Sequence, residues 1–307
     1  MSGAIGASGV SAEPTPDGAR AILQKRIVAV LNIGSGSCDA NSAAQAKAVF
    51  DQAGLSHAKV VAVEPADLDK ALDDAVANAD VLVVLGGDGT ISAAATRCGG
   101  AGALLIPLPG GTMNMLPKAL YGGRPWREAL ADTLANPKVH DVSGGKADDR
   151  PFFCAAILGA PSLWAQAREA ARKGAVVEAI KRSITATRRS LTESLDYDFG
   201  GGLTGSSEAV VVICPAIAKD MNPDDPTLEA AAVDPETAAG LFGLAFHAAF
   251  DNWRNGASVS LAKVKTLSVT GHGEVPVILD GETVRLGRTV GISFVPVAFR
   301  ALAPAKR

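Results

Sequence analysis

The stretch Val81–Thr90, VLVVLGGDGT, decides how the chain around it is read. A short Val-rich run closed by glycines predicts a strand buried on both faces that ends in a tight turn. Gly86, Gly87 and Gly89 permit positive φ angles and let backbone N–H groups approach an anion with no Cβ in the way. Asp88 places a carboxylate inside that turn, where it could hold a metal ion or orient a phosphate through one. Thr90 is a candidate cap for a helix that Ile91–Arg97 begins, and a helix N-terminus favours phosphate. The plain alternative is an ordinary strand-to-helix turn. The full string Gly86-Gly87-Asp88-Gly89-Thr90 is much more specific than a lone glycine motif and favours a nucleotide-phosphate role.

Working outward, Ile27–Leu31 (IVAVL) is an expected buried strand running into Asn32-Ile33-Gly34-Ser35-Gly36-Ser37, a second candidate phosphate or ribose loop. Helices are expected over Asn41–Ala53, with Asn41 as cap and Gly54 as stop, and over Asp67–Ala79. Strands are expected at Ala58–Val63 and Ala103–Pro107. Strands alternating with helices predict an α/β, doubly wound domain with a mainly parallel sheet, whose ligands sit beyond the carboxyl ends of the strands. A third loop, Pro107-Leu108-Pro109-Gly110-Gly111-Thr112-Met113-Asn114, ends the strand at Pro107. Gly110 and Gly111 permit close approach, and Thr112 and Asn114 offer hydrogen bonds. Alone it reads as a proline-glycine turn with Thr112 or Asn114 as a helix cap; beside the Gly86 loop it lines the same cleft.

The Gly86–Thr90 string followed by P-x-P-G-G-T-x-N at 107–114 resembles the catalytic domain of diacylglycerol-kinase-type lipid kinases, a group that includes bacterial diacylglycerol kinases and the sphingosine and ceramide kinases. The first loop matches that family's N-P-x-S-G turn at Asn32, Ser35 and Gly36 and departs from it at Ile33. The resemblance covers roughly residues 26–120. It implies an α/β nucleotide domain followed by a β-rich, sandwich-like domain, with ATP and lipid meeting between them. The expected division is a flexible leader at 1–24, an ATP-binding domain at 25–139 and a lipid-substrate domain at 140–307. The polar segment Lys138–Asp149 is the expected passage between the two.

In the second half, Phe152–Ile157, Glu208–Pro215, Ser258–Gly271 and Glu274–Leu279 are expected strands. Ser162–Thr192 carries Arg168, Arg172, Lys173, Lys181, Arg182, Arg188 and Arg189 against only Glu169 and Glu178, with Trp164 near its start. That is either a basic amphipathic helix suited to an anionic membrane surface or a surface helix with solvated cations. Thr237–Trp253 is an expected apolar helix, packed on the second domain's sheet or walling an acyl-chain pocket, and its His247 is read as a core or surface histidine. After Pro215 the family's P-x-A-x-x-D-D-G magnesium segment is not reproduced, so no metal role is carried onto Asp220, Asp224, Asp225 or Asp234.

Asp280-Gly281 within VILDGE is a hairpin signal by itself. The resemblance places a general base in this Asp-Gly-Glu sequence, and a lipid hydroxyl needs one. Asp280 is assigned as the base and Glu282 as its orienting or magnesium-contacting partner, with the two roles exchangeable. The implied chemistry is in-line transfer of the ATP γ-phosphoryl group to the primary hydroxyl of a diacylglycerol or a ceramide or sphingoid lipid. Loops Gly34–Ser37, Gly86–Thr90 and Gly110–Thr112 would cradle the nucleotide, and Mg²⁺ would be held by phosphates and Asp88.

The 307 residues bear a formal net charge of −3, which speaks against a nucleic-acid partner. Cys38, Cys98, Cys154 and Cys214 are widely spaced and form no C-x-x-C pair, which suits a reducing cytoplasm. No basic-then-apolar signal peptide and no apolar run long enough to span a bilayer occur. The expectation is therefore a cytoplasmic enzyme peripheral to the inner face of the membrane, with homodimerisation left open. The rivals are an NAD kinase, which shares the GGDGT loop but has a downstream Gly-Ser-Thr-Ala-Tyr-type segment not found here, and a non-catalytic nucleotide- or lipid-binding protein.

Overall fold

The computed structural model describes residues 21–159, 194–218, 221–233 and 260–305. The expected helices in Ser162–Thr192 and Thr237–Trp253, with His247, lie outside these residues.

Strands β1 (Ile27–Asn32), β2 (Lys59–Val63), β3 (Val81–Gly86) and β4 (Leu104–Pro109) pair in parallel in the order β2-β1-β3-β4. Every residue of β1 and β3 is buried, and the alternation of side chains explains why. Ile27, Ala29, Leu31, Val81, Val83 and Leu85 face a core with Phe50 of α1 (Ser42–Gln52) and Leu130 of α5 (Trp126–Ala135). Val28, Val30, Leu82 and Val84 face the opposite core, with Leu72 of α2 (Leu68–Asn78) and Ile91, Ala94, Ala95 and Cys98 of α3 (Asp88–Ala101). Helices on both faces of a parallel sheet make the doubly wound arrangement that the sequence pattern predicts. The short helix α4 (Met115–Tyr121) follows β4.

The remaining described strands form the β-rich part. Here β5 (Pro137–Ala147) and β6 (Arg150–Phe152) lead into β7 (Ala155–Gly159), and β8 (Leu195–Asp198), β9 (Thr204–Ser207), β10 (Ala209–Ile213) and β11 (Leu228–Val233) follow. They are succeeded by β12 (Ser260–Val264), β13 (Thr266–Thr270), β14 (Val275–Leu279), β15 (Glu282–Leu286) and β16 (Thr289–Pro304). A six-stranded sheet runs β12-β11-β10-β7-β14-β15, and a ten-stranded sheet continues from β4 through β16 to β13, β8 and β9. Between these layers Phe152, Leu158, Val210, Val212, Val269, Val277 and Ile292 form a sandwich core.

The Lys138–Asp149 segment has regular structure, and one expected strand is corrected. The polar Lys138–Asp149 segment is mostly strand β5, paired antiparallel with β16 along almost its whole length. Ser258–Gly271 is not one strand: β12 joins the six-stranded sheet and β13 the ten-stranded one, so the chain changes layer at Lys265. A turn signal is missing because the crossover is held by a strand-like bond, Phe294 N–H to the Lys265 carbonyl at 2.8 Å. Strand β16 pairs with β13 at Thr289–Ser293 and with β4 at Ala301, so the end of the chain returns to the first sheet. Among the described residues no helix is long and apolar enough to cross a membrane.

Candidate active site

The three glycine loops meet at the carboxyl ends of β1, β3 and β4. The Ser37 N–H donates to the Gly110 carbonyl at 2.9 Å, and the Gly110 N–H donates to the Gly86 carbonyl at 2.8 Å. The Asn32 side-chain amide donates to the Thr90 hydroxyl at 2.9 Å. These contacts assign the glycines different work from that expected. A Cβ on Gly110 would lie 2.8 Å from the Gly86 nitrogen, and one on Gly111 would lie 2.7 Å from the Gly87 Cα. Gly86 itself is pressed against Thr90, and Gly34 against Pro65. These four glycines therefore let segments of the protein touch one another, whereas Gly36 has open space around it and Gly89 faces only the Glu282 carboxylate.

Helix α3 begins at Asp88, earlier than the sequence suggests, with Gly87 in extended conformation at the N-cap. Thr90 is thus inside the first turn and caps nothing; its hydroxyl receives Asn32 instead. Among the described residues no side chain caps α3, so its first turn presents backbone N–H groups and the positive end of the helix dipole toward the cleft. Asn41 likewise makes no capping bond at α1. There Asp39 accepts from the Asn41 N–H and the Ser42 hydroxyl, each at 2.9 Å.

Asp88 reaches across to α4. Its Oδ2 accepts the Asn114 N–H at 2.9 Å and its Oδ1 accepts the Met115 N–H at 2.6 Å. Asn114, in left-handed conformation at φ 51°, folds back instead of capping α4. Its Oδ1 accepts the Gly111 N–H and its Nδ2 donates to the Gly111 carbonyl, both at 2.7 Å. Thr112 is exposed at the tip of that loop.

The Asp280-Gly281 pair forms the two-residue turn of the β14–β15 hairpin, with Leu279 opposite Glu282 and positive φ at both turn residues, 47° and 100°. The hairpin reading is borne out. The Asp280 carboxylate is saturated: Oδ1 accepts the Cys154 and Ala155 N–H groups at 2.8 and 3.0 Å. Its Oδ2 accepts the Phe153 N–H at 2.8 Å and the Ser92 hydroxyl at 3.1 Å. The residue as a whole is only partly buried, but burial of its carboxyl group pushes the pKa above its ordinary value against the opposing pull of those donors. Glu282 differs in every respect. It is exposed, its carboxylate accepts no hydrogen bond from the described residues, and its Oε1 lies 3.5 Å from where a Gly89 Cβ would stand.

Asp88, Asp280 and Glu282 line one cleft of about 510 Å³ with Gly87, Gly89 and Gly281, and its floor is apolar: Met113, Met115, Ala155, Ile157 and Ile278. The structure thus brings together Asp88, Gly89, Asp280 and Glu282, while Asn32, Gly34, Ser35 and Gly36 form the neighbouring loop. The floor residues and Ser92 escaped the sequence reading. Met113 lies in the third loop and Met115 just after it, but Ile157 and Ile278 look like any strand residue. An apolar trough with carboxylates and an uncapped helix N-terminus at one end can hold an aliphatic group, bind an anion and accept a proton. Among the described residues, no three metal-ligating side chains gather at one point.

Comparison with known proteins bears on the fold that carries this arrangement. A family model described as the diacylglycerol kinase catalytic domain matches residues 26–147. A solved structure of a diacylglycerol kinase from Bacillus anthracis str. Sterne superposes with a TM-score of 0.65 at 16% identity, covering 91% of this chain and 96% of that one. Two further structures from the same organism, provisionally given the same activity, superpose with TM-scores of 0.67 and 0.66. They are 18% and 19% identical and cover 91% and 90% of this chain and 97% and 96% of theirs. At such identities the likeness establishes the shared fold, an α/β domain joined to a β-rich one. The family model adds the motif-bearing part: residues 26–147 of this chain are similar to the diacylglycerol kinase catalytic domain.

Proposed function

We propose that the chain is an ATP-dependent lipid kinase that transfers the γ-phosphoryl group to the primary hydroxyl of a diacylglycerol or a ceramide or sphingoid lipid. The observation that carries this reading is the position of Glu282: a carboxylate without hydrogen bonds from the described residues, beside Gly89 in the first turn of α3, at the end of an apolar trough. The uncapped α3 N-terminus and the open Gly36 loop bind phosphates, the helix dipole favouring negative charge there. The trough of Met113, Met115, Ile157 and Ile278 holds the aliphatic part of the acceptor. Glu282 takes the proton of the acceptor hydroxyl as the new P–O bond forms, because Asp280 has no acceptor capacity left. Asp280 anchors the hairpin that presents Glu282. This exchanges the two roles relative to the first assignment from sequence.

Asp88 keeps one lone pair on each oxygen, which fits a Mg²⁺ ion held mainly by nucleotide phosphates and one or two carboxylates. When bound, such an ion neutralises charge on the transferring phosphoryl group. The cationic pattern of Ser162–Thr192 supports peripheral attachment to an anionic membrane surface. The test is labelled-phosphate transfer from ATP, with Mg²⁺, to a panel of diacylglycerol, ceramide, sphingosine and NAD. Label on one lipid names the acceptor; label on NAD alone, or on nothing, would overturn the reading.

A further inference from the structure

Helix α3 carries the phosphate-facing first turn, and the β14–β15 hairpin carries the carboxylates. The side-chain hydrogen bond that joins them directly is that of Ser92, whose hydroxyl, one turn into α3, donates to Asp280 Oδ2 at 3.1 Å across a sequence separation of 188 residues. The other three donors to Asp280 are backbone N–H groups of Phe153 and Cys154 in the β6–β7 connection and of Ala155 at the start of β7. The Asp280 N–H also donates to the Ala155 carbonyl at 3.0 Å, so the turn and that connection form one hydrogen-bonded unit. Ser92 ties this unit to the nucleotide helix. It lies four residues after Asp88, on the same face of α3.

We propose that Ser92 is a positioning residue, which sets the distance between the α3 N-terminus and Glu282 by holding Asp280 from the helix side. This rests on the kinase reading of the cleft above. Asp280 opens a two-residue turn whose backbone is in left-handed conformation, and Glu282 is the first strand residue after that turn, so a shift of Asp280 relative to α3 moves Glu282 with it. In-line transfer tolerates little error, since a misplacement of about 1 Å can cost on the order of a hundredfold in rate. Ser92 is not among the residues that line the cleft, so its loss leaves the binding of each substrate alone while the alignment between them degrades. Thr at this position keeps the hydroxyl and preserves the bond.

The test compares Ser92→Ala and Ser92→Thr with the parent full-length protein in three measurements. Steady-state kinetics on the lipid acceptor should show kcat reduced roughly 10- to 100-fold in Ser92→Ala, with KM for Mg·ATP within twofold of the parent, and Ser92→Thr within about threefold of the parent in both. Calorimetric titration with a non-hydrolysable ATP analogue should give the same affinity for all three proteins. Amide hydrogen exchange at Phe153, Cys154 and Ala155 should quicken in Ser92→Ala and not in Ser92→Thr. An unchanged kcat in Ser92→Ala, a loss confined to KM, or a Ser92→Thr variant as slow as Ser92→Ala would overturn the proposal. So would unchanged exchange at those amides, since Asp280 would then be held without Ser92. A parent protein that transfers phosphate to no lipid defeats the kinase reading instead, and the exchange measurement still decides whether Ser92 holds Asp280.

Discussion

Asp88 and Met115, on different helices and far apart in sequence, are joined by a 2.6 Å hydrogen bond from the Met115 N–H to Asp88 Oδ1. With the second bond to the Asn114 N–H, one carboxylate caps α4 from the first turn of α3. The residue that the motif marks for phosphate chemistry is therefore also a structural tie between the second and third loops.

Asp88→Ala accordingly does two things. It removes two charge-assisted bonds and leaves two N–H groups at the head of α4 without an acceptor, a cost of about 2–4 kcal/mol. Urea denaturation should show this loss alongside the loss of phosphoryl transfer. A variant as stable as the parent would mean that the capping bonds contribute nothing and that the activity loss is purely local.

Glu282→Gln and Asp280→Asn should separate cleanly. Glu282 is exposed and accepts no hydrogen bond from the described residues, so Glu282→Gln should keep its full stability. Its turnover should fall roughly 10²–10⁴-fold, the usual contribution of a general base. In Asp280→Asn the new amide group must point its own hydrogens at one pair of the four donors, and stability should drop by about 1–3 kcal/mol. Thermal unfolding and single-turnover transfer measured on both variants decide the matter: a stable Asp280→Asn with normal-turnover Glu282→Gln would return the base to Asp280.

The glycines divide by a simple experiment. Gly110→Ala forces a Cβ to within 2.8 Å of the Gly86 backbone and should destabilise the fold by about 1–3 kcal/mol. Gly36→Ala meets nothing within 4 Å and should leave the melting temperature unchanged. If phosphates approach that loop, the same substitution should still weaken ATP binding, which isothermal titration would read.

Burial pushes the Cys98 thiol up to about 12 from its ordinary 9.0, and Cys154 and Cys214 well above that ordinary value. A raised thiol pKa in the folded state means that the folded form holds the proton more tightly than the unfolded chain. These groups therefore favour folding fully below about pH 9, and that contribution is lost as the pH climbs toward 12. Denaturant midpoints should fall over that alkaline range. At pH 8 in native buffer a thiol reagent should label half-buried Cys38 first, with the three buried thiols reacting only on unfolding. Rapid labelling of all four would contradict the packing.

The sequence by itself determined the order of β and α elements in the first half, the position of the three loops at the carboxyl ends of the strands, and the Asp280-Gly281 hairpin. These are local properties. Side-chain periodicity marks which faces are buried, and left-handed turn positions select Gly, Asn and Asp within a few residues. The tertiary structure alone decided what the marked residues touch. Gly110 and Gly111 suit an anion-binding loop as well as they suit two backbones pressed together, and only the pairing of β3 with β4 shows the second use. Asp280 and Glu282 are equivalent carboxylates on paper; the N–H groups of Phe153, Cys154 and Ala155 and the Ser92 hydroxyl make one an anchor, while the other meets no donor among the described residues. The apolar floor gathers Met113, Ile157 and Ile278 from three separate stretches of chain, and β16 carries the chain's end back beside β4. Contacts at such separations are set by how layers pack, and no local pattern of residues records them.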